Sequence, residues 1–118
     1  MAITVVIVDD HAGFRRMARR MLEHAGFDVV GEAADGQSAL SSVASLRPEL
    51  VLLDIQLPDL NGFVVAQHLA DSGAGAVVIL TSSRSASDYG ARVARSSAIG
   101  FITKAELSGP AVAGLLEA

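Results

Sequence analysis

The sequence predicts an α/β domain, a parallel five-stranded sheet with helices on both faces. Three observations predict it. Short apolar runs rich in Val, Ile and Leu recur as Val5–Val8, Leu50–Leu53, Val77–Leu80 and Ile99–Ile102, the pattern of strands buried on both faces. Segments with a 3.6-residue apolar period alternate with these runs. The connections between them are short, which favours sequential βα units.

Taken in order, Ile3–Asp9 reads as the first strand and Ala12–Ala25 as the first helix. Phe14, Met17, Ala18, Met21 and Leu22 share one face of that helix, and Gly26 stops it, since glycine accepts the left-handed conformation there. Phe27–Glu32 is the second strand. Gly36–Leu46 is the second helix, with Asp35 as N-cap and Arg47-Pro48 closing it. Leu50–Asp54 is the third strand, Pro58–Gly62 a turn-rich loop, and Gly62–Asp71 a helix capped by Asn61, with Phe63, Ala66, Leu69 and Ala70 in period. Ala76–Thr81 is the fourth strand, Ser87–Ser96 the fourth helix and Ile99–Thr103 the fifth strand. Ser108–Glu117 closes the fold as a helix with Val112, Leu115 and Leu116 on its apolar stripe; Pro110 suits its first turn, and Gly109 and Gly114 weaken it.

Composition bounds the function. The 118 residues suffice for one domain with a single core, and 51% hydrophobic against 19% charged residues exclude a disordered chain. A formal net charge of −4 leaves no electrostatic footprint for direct nucleic-acid binding. Cysteine is absent, which removes disulfides, thiol catalysis and cysteine-zinc sites and fits a reducing cytoplasm. The first apolar run breaks at Asp9, too early for a signal-peptide core, and no stretch approaches the roughly 18–20 apolar residues of a membrane span. The expected location is cytoplasmic.

The strands end on reactive residues: Asp9 and Asp10, Asp54, Thr81, and Thr103-Lys104. Ligands of open parallel sheets sit outside the carboxyl ends of the strands, so three carboxylates, a hydroxyl and an ammonium should meet on one rim. Crowded carboxylates repel one another unless a cation lies among them. Magnesium takes oxygen ligands of this kind. A carboxylate beside magnesium, a lysine and a hydroxyl can attack a phosphoryl group and form an aspartyl phosphate.

Five segments in this order resemble one family over essentially the whole chain. They are Val8-Asp9-Asp10-His11, Val30-Gly31-Glu32-Ala33-Ala34-Asp35-Gly36, Leu53-Asp54-Ile55-Gln56-Leu57-Pro58-Asp59-Leu60-Asn61-Gly62, Leu80-Thr81-Ser82-Ser83 and Gly100-Phe101-Ile102-Thr103-Lys104. The sequence is similar to the receiver domains of two-component response regulators, and the second and last segments look most like the NarL/LuxR-type subfamily. The resemblance implies a flavodoxin-like (βα)5 fold of strand order 2-1-3-4-5, as in CheY. It implies that Asp54 is the phosphoacceptor, charged by a sensor histidine kinase. It places Mg2+ on Asp10, Asp54 and the backbone carbonyl of Gln56, with Asp9 assisting mainly through a water. Thr81 and Lys104 would bind the phosphoryl group, and Phe101 would be the switch aromatic. The output would be a changed face of the fourth helix, fifth strand and fifth helix. Members of the subfamily usually carry a C-terminal helix-turn-helix domain, which would lie outside these 118 residues.

Some expectations are specific to this chain. Arg15, Arg16, Arg19 and Arg20 form a basic stripe on the first helix, suited to kinase docking or simply to a solvated face. Small and apolar residues of the last helix permit a homodimer through the first and fifth helices. Phe101 lacks the hydroxyl that many relatives have there. Ala105 stands where relatives carry a cis proline, which leaves the Lys104-Ala105 peptide geometry open. Ser82 and Ser83 lie beside the acceptor and would tune phosphoryl lifetime. His11 reads as a loop residue near the metal, not a ligand. Two other readings remain. An aspartyl-nucleophile phosphohydrolase would need a general acid two residues after Asp54, where Gln56 has no titratable proton. A phosphate-independent interaction module would have no need for Asp10, Asp54, Thr81 and Lys104 together. The expected role is therefore a signalling switch that assists its own phosphorylation, not a metabolic enzyme.

Overall fold

A computed structural model describes residues 2–117 of the chain. Its regular elements are β1 (Thr4–Val8), α1 (Ala12–His24), β2 (Asp28–Ala33), α2 (Gly36–Leu46), β3 (Leu50–Asp54), α3 (Gly62–Asp71), β4 (Val77–Ser82), α4 (Arg92–Arg95), β5 (Gly100–Thr103) and α5 (Gly109–Glu117). The strands form one sheet of order β2-β1-β3-β4-β5, every neighbouring pair parallel. This is the flavodoxin-like order the resemblance implied.

The apolar runs are central strands because both of their faces are covered. Every residue of β3 is buried, as are Val5 to Val8 of β1. One layer of the core packs Val6, Val51, Leu53, Val78 and Leu80 beneath α2 and α3. The other packs Val5, Ile7, Leu50, Leu52 and Ile79 beneath α1 and α5. Complete burial of a Val, Leu or Ile side chain contributes about 1.5–3 kcal/mol, so these two layers fix the register of the sheet and hence the level at which its strands end.

The caps follow the sequence closely. Asp35 accepts a hydrogen bond from Ser38 N, and Asn61 accepts one from Val64 N. Gly26 follows α1 at φ +95°, and Arg47 ends α2 in the left-handed region at φ +48°. Asp59 ties the loop after β3 to the start of α2, accepting from Gly36 N at 2.7 Å and Gln37 N at 2.9 Å.

Three expectations are corrected and one open point is settled. The continuous helix over 87–96 is instead a 3-10 turn, Ala86–Tyr89, and the four-residue α4. Gly90 separates them at φ +59° and ψ −136°, outside helical space. Ser85 and Asp88 cap the turn reciprocally, which starts it earlier than the periodicity suggests. On α3 the buried face is Val65, Ala66 and Leu69; Phe63 is half-buried and Ala70 faces out. Met17 of α1, placed on the apolar stripe, is 46% exposed. The Lys104-Ala105 peptide is trans and opens a second 3-10 turn, Lys104–Glu106.

Gly62 is the tightest junction near the strand ends. A Cβ there would lie 2.7 Å from both the Asp54 carbonyl oxygen and Ile55 Cα. Gly62→Ala should therefore cost about 1–3 kcal/mol, the usual penalty for overpacking a close-packed site. A urea-denaturation midpoint equal to that of the wild type would refute the contact.

Candidate functional site

The parallel sheet brings Asp9, Asp54, Thr81 and Lys104 to one rim. Asp9 directly follows β1 and its N–H donates to the Ala33 carbonyl at 3.0 Å. Asp54 is the last residue of β3 and lies in register with Thr81 of β4. Lys104 follows β5. Alternation along each strand puts Asp9, Asp54 and Thr81 on the α1–α5 side of the sheet, in line with Ile7, Leu52 and Ile79.

All three are buried: Asp9 is 0%, Asp54 3% and Thr81 1% exposed. Lys104 Nζ lies 2.6 Å from Asp9 Oδ2, near enough for an ion pair though not aligned as a hydrogen bond. It is 3.4 Å from Asp54 Oδ2, to which it donates. The same ammonium sits 4.5 Å from the centroid of the Phe14 ring, a cation–π contact. Asp9 Oδ1 accepts from His11 N at 2.8 Å, and Asp54 Oδ1 accepts from Gln56 N at 3.2 Å. Among the described residues, Thr81 Oγ1 has no hydrogen-bond partner despite its burial. A buried hydroxyl of this kind is ready to donate to an oxygen arriving at Asp54.

Burial pushes the Asp54 carboxyl up to about 6, and the charge of Asp9 adds to the rise. The Gln56 N–H and the Lys104 ammonium oppose it incompletely. For Lys104, burial favours the neutral amine, but the carboxylates of Asp9 and Asp54 outweigh it and hold the group above its ordinary value. The pocket therefore contains two buried carboxylates and one ammonium.

Asp10 lies at the mouth, its side chain 36% exposed and 3.1 Å from His11 Nδ1. One ligand atom from each of Asp9, Asp10 and His11 falls within 4.8 Å of the others. The exposed His11 side chain reaches both carboxylates. The carboxylates of Asp9 and Asp10 are hard oxygen donors of the kind Mg2+ takes.

The basic stripe of α1 divides in two. Arg15 and Arg19 turn onto Glu32 of β2, at 3.0 Å and 2.8 Å. Arg15 also donates to the Asp9 carbonyl at 2.6 Å and Arg19 to the Val29 carbonyl at 3.1 Å. The Arg19 and Arg15 hydrogen bonds hold the Glu32 carboxyl below its ordinary value. Arg16 and Arg20 stay exposed and line a groove of about 720 Å³ with Met17, Met21, Gly109 and Pro110. Phe101 is half-buried on the opposite face of the sheet, among Tyr89 and the α2–α3 core.

Two contributors, Glu32 and Asp59, escape the sequence reading, and Ser82, expected beside the acceptor, is corrected. Glu32 pairs with arginines 13 and 17 residues away in sequence. Asp59 anchors the loop after the Asp54 strand. Ser82 turns away from Asp54 and meets the Tyr89 hydroxyl at 2.6 Å. The first two are charged residues whose partners lie on other elements. For Ser82, strand alternation puts it on the opposite face from Thr81 and so away from the acceptor.

Residues 5–109 match the response regulator receiver domain family. The fold superposes on the signal receiver domain of the response regulator NarL from Mycobacterium tuberculosis with a TM-score of 0.89 and 30% identity, covering 98% of this chain and 94% of that one. A LuxR-family two-component response regulator from Aurantimonas sp. SI85-9A1 matches with a TM-score of 0.86 and 27% identity, over 99% and 87% of the two chains. In sequence, the DNA-binding transcriptional activator EvgA of Escherichia coli K12 is 29% identical over 104 residues, 88% of this chain and 51% of its own length. A protein-glutamate methylesterase/protein-glutamine glutaminase of Myxococcus xanthus is 44% identical over 82 residues, 69% of this chain and 24% of its own. The chain thus spans from about a quarter to about half of the length of these curated relatives.

The raised Asp54 value makes a prediction about stability. A carboxyl near 6 when folded, against an ordinary 3.8, binds its proton more tightly in the native state. Its ionisation then opposes folding fully above about pH 6 and not at all well below pH 4. Asp54→Asn removes this penalty, on the order of 2–3 kcal/mol at neutral pH. Urea midpoints from pH 4 to 8 should show the variant more stable than wild type at pH 7–8, with the gap closing as the pH falls. An equal or lower midpoint at pH 7.5 would contradict the electrostatic reading.

Proposed function

The chain belongs to the response regulator receiver domain family, and we propose that it is the phosphoacceptor switch of a two-component relay in the cytoplasm, with Asp54 as the acceptor. One observation carries this reading: a buried carboxylate at a strand end, beside a half-buried ammonium and in register with a buried hydroxyl that has no partner among the described residues. A carboxylate oxygen of Asp54 attacks the phosphorus of a kinase phosphohistidine. The O–P bond forms as the N–P bond breaks, and the freed imidazole takes a proton from solvent. Lys104 offsets charge on the equatorial phosphoryl oxygens and Thr81 donates a hydrogen bond to one of them. In-line attack by water later returns the carboxylate and inorganic phosphate.

Asp9, Asp10, Asp54 and the Gln56 carbonyl would hold Mg2+, which when bound neutralises negative charge at the phosphoryl group. The role is signalling rather than metabolic catalysis. The sensor histidine kinase would dock through the groove of Arg16, Arg20, Met17 and Pro110, because Arg15 and Arg19 are committed to Glu32. A homodimer through α1 and α5 would use the same surface. Phosphorylation would reach the output through Phe101 and the face of α4, β5 and α5. The length of EvgA beyond the matched region supports an output in a DNA-binding domain, with the receiver itself making no contact with nucleic acid.

The decisive experiment is phosphoryl incorporation from acetyl phosphate, read by intact mass. Wild type should gain about 80 Da, one phosphoryl group, only with Mg2+, and Asp54→Asn should gain nothing. Labelling that survives Asp54→Asn would move the acceptor elsewhere. A wild type that binds Mg2+ yet gains no mass would favour the phosphate-independent module.

A further inference from the structure

The segment between β4 and β5 is held to the body of the protein by few buried groups. Neither the 3-10 turn Ala86–Tyr89 nor α4 contains a fully buried residue. Tyr89 is half-buried and is the element's main anchor. Its ring meets Phe63 of α3 edge-on at 5.8 Å and 71°, and Phe101 of β5 at 6.3 Å and 62°. Arg92 covers the Phe63 ring at 4.5 Å. Gly90, directly after Tyr89, holds a conformation that L residues rarely adopt, so the chain pivots there.

The Tyr89 hydroxyl is tied to the end of β4. It meets Ser82 Oγ at 2.6 Å, and that oxygen also accepts from Arg84 N at 3.0 Å. Ser82 is 0% exposed. Its neighbour Thr81 is the hydroxyl in register with Asp54. Successive side chains of a strand point to opposite faces. The end of β4 therefore carries two buried hydroxyls back to back, Thr81 toward the acceptor carboxylate and Ser82 toward Tyr89.

We propose that the Ser82–Tyr89 hydrogen bond is a latch through which the occupancy of the Asp54 site controls the 83–96 segment. This rests on Asp54 being the phosphoacceptor. When Thr81 turns to donate to a phosphoryl oxygen, the peptide it shares with Ser82 turns with it. The Ser82 oxygen then leaves its alignment with the Tyr89 hydroxyl. Loss of that bond frees the ring between Phe63 and Phe101 and releases the segment about Gly90. Phe101 has no hydroxyl, so the polar contact between the strand end and the aromatic cluster comes from Tyr89 instead.

Tyr89 is the only tyrosine and the chain has no tryptophan, so intrinsic fluorescence reports on this ring alone. Labelling with acetyl phosphate and Mg2+ should change the emission of wild type. At equal phosphoryl occupancy by intact mass, Ser82→Ala should show little or none of that change. A second arm needs no phosphate: Tyr89→Phe keeps the ring and removes the hydroxyl. Amide hydrogen exchange over residues 83–96 should then quicken by about 2- to 10-fold, the weight of one net hydrogen bond, with β1 and β3 unaltered. The latch is overturned by unchanged exchange in Tyr89→Phe, by a labelled wild type with constant emission, or by a labelled Ser82→Ala that responds as wild type does. Absence of any mass gain in wild type overturns the acceptor assignment and the coupling with it, a result distinguishable from the others by mass alone.

Discussion

The interaction on which the chemistry of the site depends is the ammonium of Lys104 set between the buried carboxylates of Asp9 and Asp54. Taking even a paired charge out of water costs several kcal/mol per ion. Here two anions share one cation, so the pocket keeps an uncompensated negative charge. What sustains it is the sheet. β1 and β3 are buried on both faces, and the hydrophobic layers above and below hold the strand ends where they are regardless of charge. Arg15 adds a local brace by donating to the Asp9 carbonyl while it pairs with Glu32. A surplus of negative charge held by a rigid frame is an environment that a cation or a change of charge at Asp54 can alter strongly.

The same sheet separates two tasks by strand alternation. Asp9, Asp54 and Thr81 occupy the side that packs under α1 and α5, while Ser82, Tyr89, Phe63 and Phe101 gather with the α2–α3 layer. Only a peptide bond divides Thr81 from Ser82. A displacement on the chemical side has a short route to the aromatic side at this point, and the segment it reaches is the least buried stretch between two strands. Low burial is what makes such a segment able to move at little cost.

How much was legible in the sequence follows from the range of the forces involved. Buried strands announce themselves as uninterrupted apolar runs, and their ends carry the reactive residues, so Asp54, Thr81 and Lys104 could be placed on one rim without coordinates. Helix caps are equally local, and Asp35 and Asn61 sit where the sequence puts them. The region 83–98 was not legible as drawn. Its serines, arginines and alanines lack an apolar period, and the pivot at Gly90 outweighs the helical propensity around it. The arginines of α1 show a different limit. Periodicity puts them on faces of one helix, but the partner that sorts them, Glu32, lies on β2. Nothing in the spacing reveals which two it will take.

The protonation of the two central groups assigns their roles. With its carboxyl raised to about 6, Asp54 is still roughly nine-tenths ionised at pH 7. A carboxylate whose conjugate acid is weaker than usual is also the more basic and the better nucleophile. Lys104 is raised as well, because the carboxylates hold its proton more firmly than water does. It cannot serve as a base at neutral pH and is confined to carrying charge. Burial thus raises the reactivity of one partner while the resulting ion pairs lock the other as a cation. Both effects arise from the strand ends that the hydrophobic core puts together.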